Sequence, residues 1–413
     1  MATAVGPPGI LSFEEARHTV EDRAATVCAP PTEVVDLSHA SWRTLAEPLI
    51  ADRDLPPFPR ATRDGFAVCA ADLETLPTVL HLAGEIRAGE TAGKVELLRG
   101  HAVAIMTGAP VPAGADAVVM IEFTSQSGEE VTITRSAVAG ENIVPRGAEG
   151  RQGCTLLHRG SHLDEAGIAL AAAVGKEQIE VYSRPRVAVL TTGDEIVAVG
   201  DSPGPAQIRN SNGHSLAVQI RNGGGEPLLL PIAPDDSQEL RQLIEQGLGA
   251  DLLLITGGVS VGRYDLVERV LAEMGAEFFF TGALIQPGRP VVFGRAMGKY
   301  FFGLPGNPVS TMVTFELFVR PMLQTLGGTP VSKLKFLHAR LKTEVTVKPG
   351  LKRFLPALVA GEFEESFVEL VSWQGSGDLA GAARANCYLV VPPDRTRMAA
   401  GEWVAVMMRH SAI

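Results

Sequence analysis

The sequence predicts a multidomain α/β protein built around a doubly wound parallel sheet. Three observations carry this. Between Arg184 and Leu326, continuous apolar runs alternate with helical stretches, which is how strands buried on both faces and joined by crossover helices read. Before and after that region lie short β-like runs set between glycines. The chain has 413 residues, and at roughly 100–200 residues per domain that makes two to four domains.

Each element has a local reason. Ser12-Phe-Glu-Glu15 is a capping box, so a first helix is predicted over Phe13 to Ala24. Ala29-Pro-Pro31 breaks it, and Ser41 to Ala51 reads as a second short helix. Leu55-Pro-Pro-Phe-Pro59 must be an extended connector, because its three prolines remove donors and fix φ. From Pro59 to Gly140, the runs Thr78–Leu82, Ala102–Met106, Ala117–Ile121 and Val131–Thr134 read as a small all-β unit. Glu165 to Val174 is helical, closed by Gly175. The central region then offers strands at Val187–Leu190, Leu228–Ile232, Leu252–Ile255, Phe278–Phe280 and Tyr300–Phe302. Helices fall near 211–221, 236–246, 264–274 and from Pro308 to about Leu326. Gly327-Gly328 marks the next boundary, and Cys387–Val391 and Trp403–Met407 belong to a C-terminal β unit.

Composition narrows function. Lys and Arg number 36 against 47 Asp and Glu, a net charge of −11, which argues against a nucleic-acid partner. No apolar run reaches the roughly 18 residues of a membrane span. The first basic residue is Arg17, so no secretion leader is expected. The four cysteines form no Cys-x-x-Cys pair and read as buried small residues. A cytoplasmic location is expected.

In open parallel sheets, ligands bind beyond the carboxyl ends of the strands. Three such ends carry unusual loops: Thr191-Thr-Gly-Asp-Glu195, Thr256-Gly-Gly-Val-Ser-Val-Gly-Arg-Tyr-Asp265 and Leu304-Pro-Gly-Asn-Pro308. A lone Thr-Gly-Asp is an ordinary turn. Three glycine-bearing loops at strand ends, two of them with carboxylates, suit a phosphate ester plus a divalent ion. Two other motifs fail. Gly89-Glu-Thr-Ala-Gly-Lys94 is one residue short of a P-loop and lacks its Ser or Thr. No dinucleotide fingerprint follows a strand, and no zinc-protease motif or nucleophile elbow occurs.

The residues resemble those of the molybdopterin molybdenumtransferases, the family of bacterial MoeA and the gephyrin E domain. The matching blocks span nearly the whole chain: Pro57–Val68, Ile105–Glu122, Thr191–Glu195, Gly257–Asp265, Pro287–Pro290, Gly303–Pro308, Ala385–Val391 and Gly401–Trp403. The resemblance implies insertion of molybdate into adenylylated molybdopterin, with Mg²⁺-dependent release of AMP. It implies a homodimer with its active site at the subunit interface, and contact with the adenylyltransferase that makes the substrate. Its fold would be a discontinuous elongated dimerisation domain (1–55 and 141–182), an inserted β domain (56–140), an α/β molybdopterin-binding domain (183–328) and a C-terminal β-barrel (329–413).

Carried over residue by residue, the resemblance makes Asp64, Thr107, Glu195 and Asp265 catalytic. Asp194, Glu195, Asp235 or Asp236, and Asp265 would hold the metal. Thr192, Gly193, Asp194, Gly257, Gly258, Ser260, Arg289, Pro305, Asn307 and Pro308 would bind substrate. Three departures stand out. The family's Gly-Glu-Asp block reads Gly147-Ala-Glu-Gly150 here, so Glu149 replaces an Asp. Its Lys-Pro-Gly-Lys reads Gln286-Pro-Gly-Arg289. Arg353-Phe354 is kept, but Pro356 stands where an Arg is expected. Arg is a planar bidentate donor and Lys a point charge, so this swap is not neutral. Alternative readings are a molybdopterin adenylyltransferase, or a low-activity paralogue that handles tungstate or serves as a scaffold.

Overall fold

The structure, a computed structural model, describes residues 9–91, 95–258, 266–331 and 333–409. They fall into two units. The larger draws on Met1–Val34, Trp42–Ala46 and Glu180–Ile413, and the smaller on Val35–Ser41 and Glu47–Ile179.

The larger unit holds a six-stranded sheet in the order Glu226–Leu229, Arg186–Thr191, Leu252–Thr256, Lys299–Leu304, Val292–Ala296, Glu277–Phe280. The first four strands are parallel. Successive side chains go to opposite faces. Val187, Val189, Leu252 and Leu254 join one core with the helix Ser211–Asn222 and the helical run 308–326. Ala188, Leu190, Leu253 and Ile255 join another with the helices Ser237–Gly247 and Leu266–Glu273. That is the expected doubly wound arrangement. The last two strands differ from an all-parallel sheet, each running antiparallel to its inner neighbour. Met297 and Gly298 both take positive φ, 49° and 78°. A two-residue turn of that kind makes a tight hairpin, and a methionine there gives no sequence signal of it.

The first helix forms at Phe13–Ala24 with both arms of its capping box made. It packs on the helical run 308–326 and the C-terminal strand Lys352–Ala360, the Phe13 ring lying 6.1 Å from Phe318 and 5.3 Å from Phe354. The run 308–326 is α-helical at Pro308–Thr314 and Arg320–Leu326, with a π-helical stretch at Phe315–Val319 between. Pro321 has no N–H to give the Leu317 carbonyl four residues back. Arg17, almost fully buried, donates to that carbonyl from Nη1 at 2.6 Å.

The C-terminal region closes a five-stranded barrel. Its order is Lys352–Ala360, Phe367–Leu370, Leu337–Leu341, Trp403–Met408, Cys387–Val391, and the last strand pairs back onto the first. Ile285–Gln286 adds to Lys352–Ala360 in parallel.

The smaller unit contains a six-stranded sheet in the order Ala117–Met120, Gly65–Val68, His101–Ile105, Thr78–Ile86, Glu130–Ile133, Thr124–Ser127. The expected second helix at Ser41–Ala51 is absent. Leu37–His39 forms one 3-10 turn, and Leu49–Ile50 is a strand paired with Thr155–Leu157. Leu45 and Leu49 have helical spacing, but Pro48 between them denies a helix its donor.

Phe318 is fully buried, with Phe13 and Phe280 rings about it. Phe318→Ala should therefore cost about 3–5 kcal/mol, measured as a lower urea midpoint with unchanged slope.

Candidate functional site

Parallel register brings three strand ends level: Thr191 pairs with Thr256, and Thr256 with Leu304. The loops that leave these ends therefore start side by side. Asn212, on the helix Ser211–Asn222 and 8% exposed, ties two of them together. Its amide nitrogen donates to Thr256 Oγ1 at 2.9 Å and to the Gly306 carbonyl at 2.7 Å. Thr256 Oγ1 in turn donates to the Pro305 carbonyl at 3.3 Å. Asn210 accepts from Thr191 Oγ1 and from the Gly213 N–H, holding the first loop to the helix start.

Beyond these ends lies a cleft of about 690 Å³. Its lining includes Thr192, Glu195, Asn212, Gly257, Gly258, Pro305 and Asn307, together with 285–290 and with Leu351, Trp373 and Ser376 from the C-terminal region. Glycine is required where the loops meet. Gly257 has φ +92°, and a Cβ on it would sit 2.3 Å from the Thr192 carbonyl oxygen. At Gly193, φ is +131° and a Cβ would lie 2.5 Å from the Glu195 carboxylate. Thr192 Oγ1 and Asn212 Oδ1 are buried and have no hydrogen-bond partner among the described residues.

The expected metal carboxylates sort into two groups. Asp194 accepts the Asp235 backbone N–H at 3.0 Å. Burial, then the nearby charges of Asp194 and Glu195, push the Asp235 carboxyl up. These three acids thus lie close together, and none has a basic partner among the described residues. Asp236 does a different job, capping the helix Ser237–Gly247 by accepting from Gln238 and Glu239. Of the pair left open by the sequence, Asp235 faces the other acids. Among the described residues no three such ligands already close around one point. Ser260 and Asp265 lie outside the described residues.

On the substrate side, Pro305 and Asn307 give their carbonyls to Thr311, and Pro308 opens the helix Pro308–Thr314. Arg289 is exposed at the cleft. The sequence reading passed over Arg353 as a binding group. It is only 7% exposed, and burial lowers its pKa. Its Nε donates to Gln286 Oε1 at 2.8 Å and its Nη1 to the Leu351 carbonyl at 3.2 Å. No carboxylate pairs with it among the described residues. A buried cation is ordinarily paired, and Arg353 has only neutral partners among the described residues. A lysine at 286 would set a second positive charge beside it, and the neutral Gln286 instead fixes its orientation. The signal was the surviving Arg353-Phe354 block; burial cannot be read from it. Asn212 was also missed, since Asn-Ser-Asn before a helix reads as a cap.

Asp64 and Thr107 lie together in the smaller unit. Thr107 donates its N–H to Asp64 Oδ1 at 2.6 Å. That bond and one from the Thr107 hydroxyl hold the Asp64 carboxyl below its usual range. Glu149 accepts from Arg60 at 2.8 Å.

Comparison with known proteins bears on the whole chain. Family models match in succession: the MoeA N-terminal region (domain I and II) at residues 11–175, a probable molybdopterin binding domain at 188–325, and the MoeA C-terminal region (domain IV) at 338–408. A Nostoc sp. protein named molybdopterin molybdenumtransferase is 35% identical over 393 residues, covering 91% of this chain and 88% of that protein. A Bacillus subtilis protein of the same name is 34% identical, covering 91% and 90%. The crystal structure of the molybdopterin biosynthesis MoeA protein from Pyrococcus horikoshii OT3 superposes with a TM-score of 0.76 at 27% identity, over 97% of this chain and 100% of that one.

Two outcomes test this geometry. Gly257→Ala should cost at least about 2 kcal/mol, from strained φ and the clash with Thr192, read by thermal unfolding. Thr107→Val should raise the Asp64 pKa toward the ordinary carboxylate range in a carbon-detected NMR titration. The lowered value stabilises the fold at neutral pH, and that contribution fades as pH falls through it.

Proposed function

Because the chain belongs to the molybdopterin molybdenumtransferase family, a family of transferases in molybdenum cofactor biosynthesis, we propose that it inserts molybdate into adenylylated molybdopterin and releases AMP. The observation that carries this reading is a cluster of carboxylates that reaches the cleft at Glu195, with Arg289 also on the cleft lining. Asp194, Glu195 and Asp235 crowd one region without a counter-cation among the described residues. Arg289 is exposed on the cleft lining, and Arg353, buried and without a carboxylate partner among the described residues, is bonded to Gln286 of that lining.

Each group suits one part of the reaction. Three mutually repelling carboxylates fit a divalent ion, and Asp194, Glu195 and Asp235 would hold Mg²⁺, joined by Asp265. When bound, Mg²⁺ neutralises phosphate charge as the phosphoanhydride breaks. The positive-φ glycines Gly257 and Gly258 let backbone approach a phosphate closely. Arg353 and Arg289 supply donors to the doubly charged molybdate, which is a substrate. The dithiolene sulfurs come from the pterin, so no protein cysteine is needed. Asp64 and Thr107 complete the site from the smaller unit of a second copy, in a cytoplasmic homodimer. Asp64, kept ionised by Thr107, is then ready to orient or accept a proton.

The test is AMP release from adenylylated molybdopterin with molybdate and Mg²⁺. Glu195→Gln should lower the rate by about 100-fold or more, since one removed electrostatic group costs that much. Wild-type turnover in a folded Glu195→Gln protein would refute the reading. Mixing Glu195→Gln with Asp64→Ala protein should restore activity if two copies build one site. Pyrophosphate release from molybdopterin and ATP would instead indicate adenylylation.

A further inference from the structure

On the face of the smaller unit's sheet opposite Leu80, Ala102 and Val131, adjacent strands set two histidines and a glutamate abreast. His81 on Thr78–Ile86 pairs in parallel register with His101 on His101–Ile105. On its other side His81 pairs with Glu130 of Glu130–Ile133. Directly paired residues on neighbouring strands point to the same face. The neighbours Leu80, Ala102 and Val131 are buried on the opposite face. The two imidazole centroids lie 5.8 Å apart. A tetrahedral ion bound by two ring nitrogens at about 2.0–2.1 Å would set them roughly 5 Å apart.

The second-sphere arrangement also matches. His101 Nδ1 lies 3.0 Å from the Arg99 carbonyl oxygen. That oxygen can only accept, so Nδ1 is the donor of this bond, and Nε2 is the nitrogen left to take a metal. Metal-binding histidines are oriented in this way. The two rings border a cavity of about 420 Å³ whose rim also carries Glu96 and Glu129. Glu96, Glu129 and Glu130 have no basic partner among the described residues, since Arg99 is engaged by Asp72 and Arg87 by Glu85.

We infer that His81 and His101, completed by Glu130 or Glu96, form a surface site for a divalent transition-metal ion. Imidazole with carboxylate selects Zn²⁺, Cu²⁺ or Ni²⁺ over Mg²⁺ and Ca²⁺. Among the described residues no three donors are already drawn around one point. The imidazole pair is therefore the anchor, and a carboxylate turns onto the ion by side-chain rotation.

The test is calorimetric titration of the full-length protein with zinc chloride, in excess Mg²⁺ to saturate the cleft carboxylates. One zinc site per chain should be present. His81→Ala and His101→Ala should each weaken it tenfold or more, and the double variant should lose it. The ring ¹⁵N resonances of both histidines should shift with Zn²⁺ and not with Mg²⁺. AMP release should be the same in the double variant as in the parent, which separates this site from the cleft. A double variant that titrates like the parent, or ring resonances that stay fixed, would overturn the inference.

Discussion

The cleft depends on one constraint, the parallel register that puts Thr191, Thr256 and Leu304 on one line. Backbone ladders fix that line before any loop residue matters. Three loops then leave at the same height, and they must pass within van der Waals distance of each other. Glycine at 257 is a consequence of that crowding. Asn212 is the matching device from the helix below, since its amide bonds to two loops at once. Each such bond is worth about 1 kcal/mol net, but leaving its buried acceptors unpaired would cost 1–3 kcal/mol. The loops are thus held more by the penalty of losing Asn212 than by the strength of its bonds.

Two buried arginines show how the same residue type serves different ends. Arg320 grips Glu316 with two hydrogen bonds inside a helical run, so its charge is neutralised locally. Arg353 has an amide and a carbonyl in place of a carboxylate. Both donors are oriented by those partners, but the charge is not cancelled. That difference, invisible in composition, separates a cation neutralised within its helix from one held only by neutral groups.

Much of this was legible in the sequence. The first helix, the alternation of strand and helix, and the glycines just past the strand ends followed from periodicity, capping and glycine placement. What escaped was set by tertiary context. The antiparallel edge hinges on a Met-Gly turn without the usual Asn-Gly signature. The segment around Leu49 mimicked helical spacing until Pro48 was given its full weight. Arg353 and Asn212 became candidates only when burial and bonding partners were known, because side-chain chemistry alone does not say which cation lacks a partner. Asp235 and Asp236 were equivalent as neighbours in sequence, and a cap on the next helix separated them.

The bond from Arg17 to the Leu317 carbonyl joins residues 300 positions apart. On the ribosome, the first helix emerges long before the proline-bearing helix that will receive it. The smaller unit's sheet, whose strands lie between Gly65 and Ile133, is complete well before then. Its strands can pair while the N-terminal helix still waits with Phe13, Ala16 and Val20 uncovered. Vectorial synthesis therefore leaves a sticky amphipathic segment uncovered, and chaperone demand should fall on that segment until residues 308–326 are made.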